Sequence, residues 1–345
     1  MKNISNFTSL EPINVNDKRV INAKTDINQL APFKYEWAWE FFLKANNNHW
    51  TPNEINMSND LADYTTRLTP AEKHLYENVL AYLTTADILA MRNIGLAVME
   101  KMSAPELQIY QARQVYEESL HTWTYQHCIE SLNLDQREIY NRYRTVPEIF
   151  GKIKISNRRL NKILRSDLDL SKRENVRDFI LSYAFFAMIF EGAWFYNGFT
   201  PIFALQRRGL MKGTAEQFQY IMRDETLHAA FGIKVLKTLM QEENYTPPYE
   251  YFSLMFEECL KAETDYINYL LPEPILGYNA EMHIQQYKYI VNRRCRQIGI
   301  AEPYTDAENV ITWLDEQVNL KKEKNFFESR VTEYKTNADL DWGDD

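Results

Sequence analysis

Glycine and proline are scarce in this chain of 345 residues, at 10 and 12, which works against strand-and-turn architectures that depend on frequent tight turns. Cysteine is scarcer still. Cys128, Cys259 and Cys295 stand far apart with no Cys-x-x-Cys pair, so they read as reduced, buried thiols of a reducing compartment rather than a disulfide framework. Positive charge is also short, 39 Lys and Arg against 48 Asp and Glu, for a net charge of −9. That balance leaves no electrostatic footprint for nucleic acid or an anionic membrane. The start, Met1 to Asn6, is polar and lacks the apolar core of a signal peptide, which gives the expectation of a cytoplasmic protein.

Aromatic residues, in contrast, are plentiful, with 22 Tyr, 18 Phe and 7 Trp, enough that large rings must fill much of the interior. Four Ser or Thr residues with Glu or Gln three places on stand ahead of long runs with few breakers: Thr69 with Glu72, Ser103 with Glu106, Ser171 with Glu174, and Thr214 with Gln217. Each is a capping-box pattern that predicts a helix start, and Pro70 strengthens the first. Runs of about 25 to 30 residues with few breakers follow each one, enough for helices of roughly 40 Å. Further helical patterns cover 247–271 and 278–297, and no alternating strand pattern of useful length is present. The expected fold is all-α. Residues 1–30 read as an extended arm, 31–320 as one helical domain, and 321–345, where charged and polar residues take over, as a flexible tail.

Within that pattern several acids stand where acids are costly. The stretch from Phe179 to Leu205 holds one charged residue, Glu191, among Phe185, Phe186, Phe190, Trp194 and Phe195. A buried carboxylate needs a proton, an ion pair or a metal. A membrane span is disfavoured because Glu191 sits mid-run and Asn197 and Thr200-Pro201 interrupt it. Asp87 lies in a similarly apolar stretch after the first cap. After the second, Glu118 and His121 form Glu-x-x-His, and after the fourth Glu225 and His228 form another. Three-residue spacing puts both members of each pair on one helix face.

One such pair is common by chance. The set is more specific: a lone acid from each of two helices and Glu-x-x-His from each of two others is the ligand plan of ferritin-like bundles that hold two metal ions between four core helices. Oxygen and nitrogen donors without thiolate suit iron or manganese and argue against structural zinc.

Three segments, Glu117-Glu118-Ser119-Leu120-His121 followed by Tyr125, Phe190-Glu191-Gly192-Ala193-Trp194-Phe195-Tyr196, and Arg223-Asp224-Glu225-Thr226-Leu227-His228, resemble in order and spacing the small (beta) subunit of class I ribonucleotide reductase. The resemblance implies that Asp87, Glu118 and His121 bind one metal and Glu191, Glu225 and His228 the other, with Glu carboxylates bridging. It implies that Tyr125 is the radical tyrosine, caged by Phe195, Phe199 and Ile221, and that Trp50, Asp224 and the tail residue Tyr334 form the radical-transfer relay. Taken by themselves, Tyr125 and Trp50 read equally as core packing. The resemblance further implies a homodimer that works with a large (alpha) subunit, docked through the tail containing Leu340 and Trp342, where nucleotides would bind. Asp87 with Tyr125 resembles the tyrosyl-radical types and favours diiron. The segment from Asn319 to Glu328 is similar to chlamydial-type subunits, which store the equivalent on metal, so dimanganese and manganese-iron pairs stay open. A stand-alone di-metal oxidase or a ferritin-like storage protein would share the six ligands without needing the relay.

Overall fold

The computed structural model describes residues 13–23, 28–165 and 167–319. The expected tail with Tyr334, Leu340 and Trp342 lies outside these residues, as does part of the expected arm. Among the described residues there is no strand, only an isolated antiparallel bridge between Ile275 and Tyr278. Helices account for the architecture: α1 (Glu36–Ala45), α2 (Ser58–Thr66), α3 (Pro70–Asn93), α4 (Pro105–Ser131), α5 (Gln136–Thr145), α6 (Pro147–Leu160), α7 (Arg173–Phe185), α8 (Tyr196–Gly198), α9 (Thr200–Arg207), α10 (Lys212–Glu242), α11 (Tyr249–Leu270), α12 (Ala280–Ile298) and α13 (Thr312–Asn319). The central layer is formed by α3 against α4 and by α10 against the segment that continues α7.

Only one of the four capping boxes forms. Thr69 Oγ1 accepts from the Glu72 amide while Glu72 accepts from the Thr69 amide, with Pro70 opening α3. At α4 the expected Ser103 cap is replaced by Ala104 and Pro105. Ser103 Oγ instead accepts from the Ala23 amide, and Glu106 Oε1 from the amides of Lys34 and Tyr35. These side chains fasten the N-terminal segment across the helix end, because backbone donors from elsewhere in the chain compete for the same oxygens. At α7 the Ser171 amide closes a local turn onto Asp169, and the helix begins two residues later at Arg173. At α10, Asp60 of α2 takes over the capping function. Its carboxylate accepts from the Gly213 and Thr214 amides at 2.8 and 2.7 Å and from the Thr214 hydroxyl, and Asp63 accepts from the Met211 amide. The donors orphaned at a helix start need an acceptor, and acids of another helix serve as well as a local one.

The apolar run after Ser171 is not one regular helix. After α7 the backbone widens into a π-helical segment, Phe186–Phe195, and then passes through α8 and α9, the latter opened by Pro201. Gly192 lies inside the wide segment, where an added Cβ would stand 2.5 Å from the Ala187 carbonyl oxygen. Only glycine fits there. The whole of Arg173–Arg207 is apolar and long enough to cross a membrane, yet 94% of its apolar window is buried within the protein, as in a core helix. All three cysteines are free and buried.

Candidate metal centre

Four elements bring their acids to one place. Asp87 comes from α3, Glu118 and His121 from α4, Glu191 from the π-helical segment, and Glu225 and His228 from α10, all essentially inaccessible to solvent. Wide turns of this kind occur mostly at functional sites, and here the turn carries Glu191. His121 Nδ1 lies 3.2 Å from Glu225, 3.5 Å from Glu118 and 3.8 Å from Asp87. His228 Nδ1 lies 3.2 Å from Glu118, 3.6 Å from Glu225 and 3.7 Å from Glu191. Two groups of converging donors result: Asp87, Glu118, His121 and Glu225 in one, Glu118, Glu191, Glu225 and His228 in the other. Glu118 and Glu225 belong to both, each turning one oxygen toward either histidine, which is the geometry of a bridging carboxylate.

Both oxygens of Asp87, Glu118, Glu191 and Glu225, and Nδ1 of both histidines, are buried without a hydrogen bond. Orphaned acceptors on this scale are far outside what a folded interior tolerates. The donor set therefore fits a pair of metal ions. Burial, followed by the charge of Glu118, raises the carboxyl groups of Asp87 and Glu191 well above the usual range. Burial works against charging the two histidines, but Asp224, Glu118 and Glu225 around His121, and Glu225, Glu118 and Glu117 around His228, outweigh it and raise both. Glu225 is depressed despite its burial, because both histidines face it.

The remaining ring nitrogens reveal a cross-pairing. His121 Nε2 lies 3.2 Å from Asp224, and His228 Nε2 lies 2.8 Å from Glu117. Each acid immediately precedes the donor glutamate of the opposite helix, so the motif is an acid, then Glu-x-x-His, twice. Backing of this kind sets which nitrogen carries the proton and leaves Nδ1 free to ligate. Glu117 is held in turn by Arg113 at 2.8 Å. Asp224 accepts from Asn48 Nδ2 at 2.6 Å and from Trp50 Nε1 at 3.3 Å. The Trp50 ring stacks on His121 and on Tyr220, with centroids 6.4 and 5.4 Å away. Glu117 and Tyr220 were not singled out from the sequence, although the doubled acid before each ligand glutamate was visible there.

Tyr125, one turn beyond His121, is fully buried, and its hydroxyl is directed to the Asp87 carboxylate. Phe218 meets its ring at 5.7 Å, Phe199 meets Phe218 at 5.6 Å, and Phe195 meets Phe199 at 6.5 Å. Phe195, Phe199 and Ile221 are wholly buried, and Phe218, absent from the expected cage, stands directly against the tyrosine. Burial first, then the charge of Asp87, raises the Tyr125 hydroxyl well above its ordinary value.

Helices that contribute two lone acids and two Glu-x-x-His pairs to a dry interior define a dinuclear carboxylate–histidine bundle protein. Residues 27–311 match the family model "Ribonucleotide reductase, small chain", and this chain belongs to that family. It is 35% identical over 338 residues to the ribonucleoside-diphosphate reductase subunit beta of Chlamydia pneumoniae, covering 96% of this chain and 97% of that one. Its fold matches the ribonucleotide reductase R2 subunit from Clostridium botulinum with a TM-score of 0.79 at 24% identity, over 87% of this chain and 94% of that one. It also matches the dimanganese(II)-NrdF of Streptococcus sanguinis with a TM-score of 0.67 at 20% identity, over 85% and 99%. At these identities the solved structures speak for the fold alone.

Proposed function

We propose that this chain is the radical-generating small (beta) subunit of a class I ribonucleoside-diphosphate reductase, acting on ribonucleotides through a large subunit. The single observation that carries the reading is the shared pair Glu118 and Glu225 between two buried donor groups, joined through Asp224 to Trp50. Two metal ions there would supply the redox chemistry that turns an oxygen species into a stored oxidising equivalent. The chain's own residues do the rest. Asp87, Glu118 and His121 would hold one ion and Glu191, Glu225 and His228 the other, while Glu117 and Asp224 keep the imidazoles in the ligating tautomer. Phe195, Phe199, Phe218 and Ile221 keep water from Tyr125, whose phenolic proton would pass toward Asp87 when the ring loses an electron. Exclusion of water and reductants prolongs the life of such a radical.

Asp224 Oδ2 faces both Trp50 Nε1 and His121 Nε2, so it can take the indole proton as an electron leaves Trp50 toward the centre. The tail with Tyr334 would carry the relay into the large subunit, and Leu340 and Trp342 among acids suit a segment that orders on docking. Ile88, Leu96, Tyr116 and Trp123 are large apolar side chains left exposed on α3, the turn after it and α4, a face suited to a second copy of the chain. Asp87 and Tyr125 favour diiron over dimanganese or manganese-iron. Neither a stand-alone oxidase nor a storage bundle needs the Trp50 to Asp224 connection.

The test is low-temperature EPR with metal quantification on apoprotein loaded anaerobically with Fe(II), Mn(II) or both and then exposed to oxygen. A tyrosyl signal after iron loading is the expected result. A coupled manganese signal without it, tied to nucleotide reduction on adding the large subunit, would move the oxidant from Tyr125 onto the metals.

A further inference from the structure

A second buried ionic cluster lies behind the metal centre. Lys152 of α6 is fully buried, with Nζ 2.6 Å from Glu263 Oε2 on α11. Glu263 Oε1 is 2.6 Å from His283 Nε2 on α12, and His283 Nδ1 bonds the Tyr278 hydroxyl. The ammonium also stands inside a box of rings, 3.9 Å from the centroid of Tyr82, 4.3 Å from Tyr266 and 4.9 Å from Trp194.

Two of those rings sit on the elements that carry the lone acids. Tyr82 precedes Asp87 by five residues, about 7.5 Å along α3, and Trp194 follows Glu191 by three. Both are electron-rich rings within reach of an oxidising centre, yet neither is equipped to give up an electron. The Tyr82 hydroxyl and Trp194 Nε1 make no hydrogen bond, whereas Trp50 has Asp224 to take its proton. Loss of an electron from a phenol in a dry interior requires a base for its proton. Glu263 is the carboxylate whose charge bears most on Tyr82, ahead of Asp87, and the one that bears on Tyr266, and Lys152 and His283 occupy its two oxygens. The cation on the ring faces adds a direct cost, since removing an electron puts positive charge beside positive charge.

We infer that Lys152 is a positioning residue that guards Tyr82, Trp194 and Tyr266 against oxidation and so confines the oxidising equivalent to Tyr125 and the Trp50 side. This rests on the proposed function, because it requires an oxidising dinuclear centre. Without Lys152, one electron would pass to the oxidised centre, reducing it, either from Trp194, which would keep its Nε1 proton as a radical cation, or from Tyr82. The Tyr82 proton would move to the freed Oε2 of Glu263, leaving a neutral ring radical.

The experiment compares wild type with Lys152→Met and with Lys152→Met/Glu263→Gln, which removes the uncompensated carboxylate should the single variant fold poorly. Each is loaded with Fe(II) or Mn(II), checked for metal content and melting temperature, and oxidised with dioxygen. EPR with ring-deuterated tyrosine or tryptophan then locates the unpaired electron. In wild type no signal is expected from Tyr82, Trp194 or Tyr266. In Lys152→Met the ratio of radical on these rings to that on Tyr125 or the metals should rise by about tenfold or more, the scale of a desolvated cation–π contact, whereas in the double variant, which has no carboxylate to take the Tyr82 proton, the rise should be confined to Trp194. An unchanged location in a folded, fully loaded variant would overturn the guard and leave Lys152 a structural ion-pair partner. Failure of loaded wild type to form any oxidised species would overturn the functional reading and the guard with it.

Discussion

Replacing Glu117 by Gln tests the cross-pairing at the least disturbance to shape. Glu117 is fully buried and accepts twice, from Arg113 Nε at 2.8 Å and from His228 Nε2 at 2.8 Å. The amide of a Gln cannot satisfy both. With its oxygen toward His228, its NH2 faces the Arg113 guanidinium, donor against donor. With its NH2 toward His228, it donates to Nε2 and drives the imidazole proton onto Nδ1, the nitrogen that faces Glu118, Glu191 and Glu225. The first orientation keeps the ligating tautomer at the cost of a buried donor clash, and the second loses it. Loss of a group that orients a metal-bound imidazole typically costs about 10- to 100-fold in metal affinity, or roughly 1.4 to 2.7 kcal/mol. Competition titration against a chelator should show one of two metal equivalents weakened by that factor, with helix content unchanged. Asp224→Asn should weaken the other equivalent similarly. Two unaltered affinities in a folded Glu117→Gln protein would refute the reasoning.

Glu225→Ala should abolish stable dinuclear loading, because its two oxygens serve both donor groups; unchanged metal content by elemental analysis would sink the ligand assignment. Tyr125→Phe should remove any organic radical while leaving metal bound, and full activity in that variant would place the stored equivalent on the metals. Tyr334→Phe should abolish nucleotide reduction in the mixture with the large subunit while metal content stays intact; retained turnover would take Tyr334 out of the relay. Loading should release protons. Burial and Glu118 raise Asp87 and Glu191, and the facing acids raise His121 and His228. Raised groups stabilise the apoprotein fully below their unfolded values, about 4 for the carboxyls and 6.5 for imidazole, and that stability is lost as pH rises through the folded values. Glu225, which is depressed, acts oppositely, losing its contribution as pH falls in acid. Apoprotein should therefore melt lower as pH rises from these unfolded values through the raised folded ones, while metal affinity increases. Calorimetric titration in buffers of different ionisation enthalpy that found no released protons would contradict this.

The helical class and the six residues of the donor cluster were legible in the sequence because both rest on local spacing. Sparse breakers permit long helices, and Glu-x-x-His places two donors on one face whatever the rest of the fold does. Glu191 and Asp87 stood out because isolated acids in apolar runs need a partner. What tertiary structure alone decided were the groups whose partners come from elsewhere in the chain. Ser103 and Glu106 hold the N-terminal segment instead of capping α4, and Asp60 caps α10 from a neighbouring helix. The wide turn at Glu191 depends on Gly192 packing against the Ala187 carbonyl. Likewise Glu117 reaches His228 and Lys152 reaches Glu263, each across 111 residues of chain, and Lys152 also meets three rings from other parts of the sequence. A hydrogen-bonding or charged side chain takes whichever partner the packing delivers, and no periodicity in the sequence records that choice.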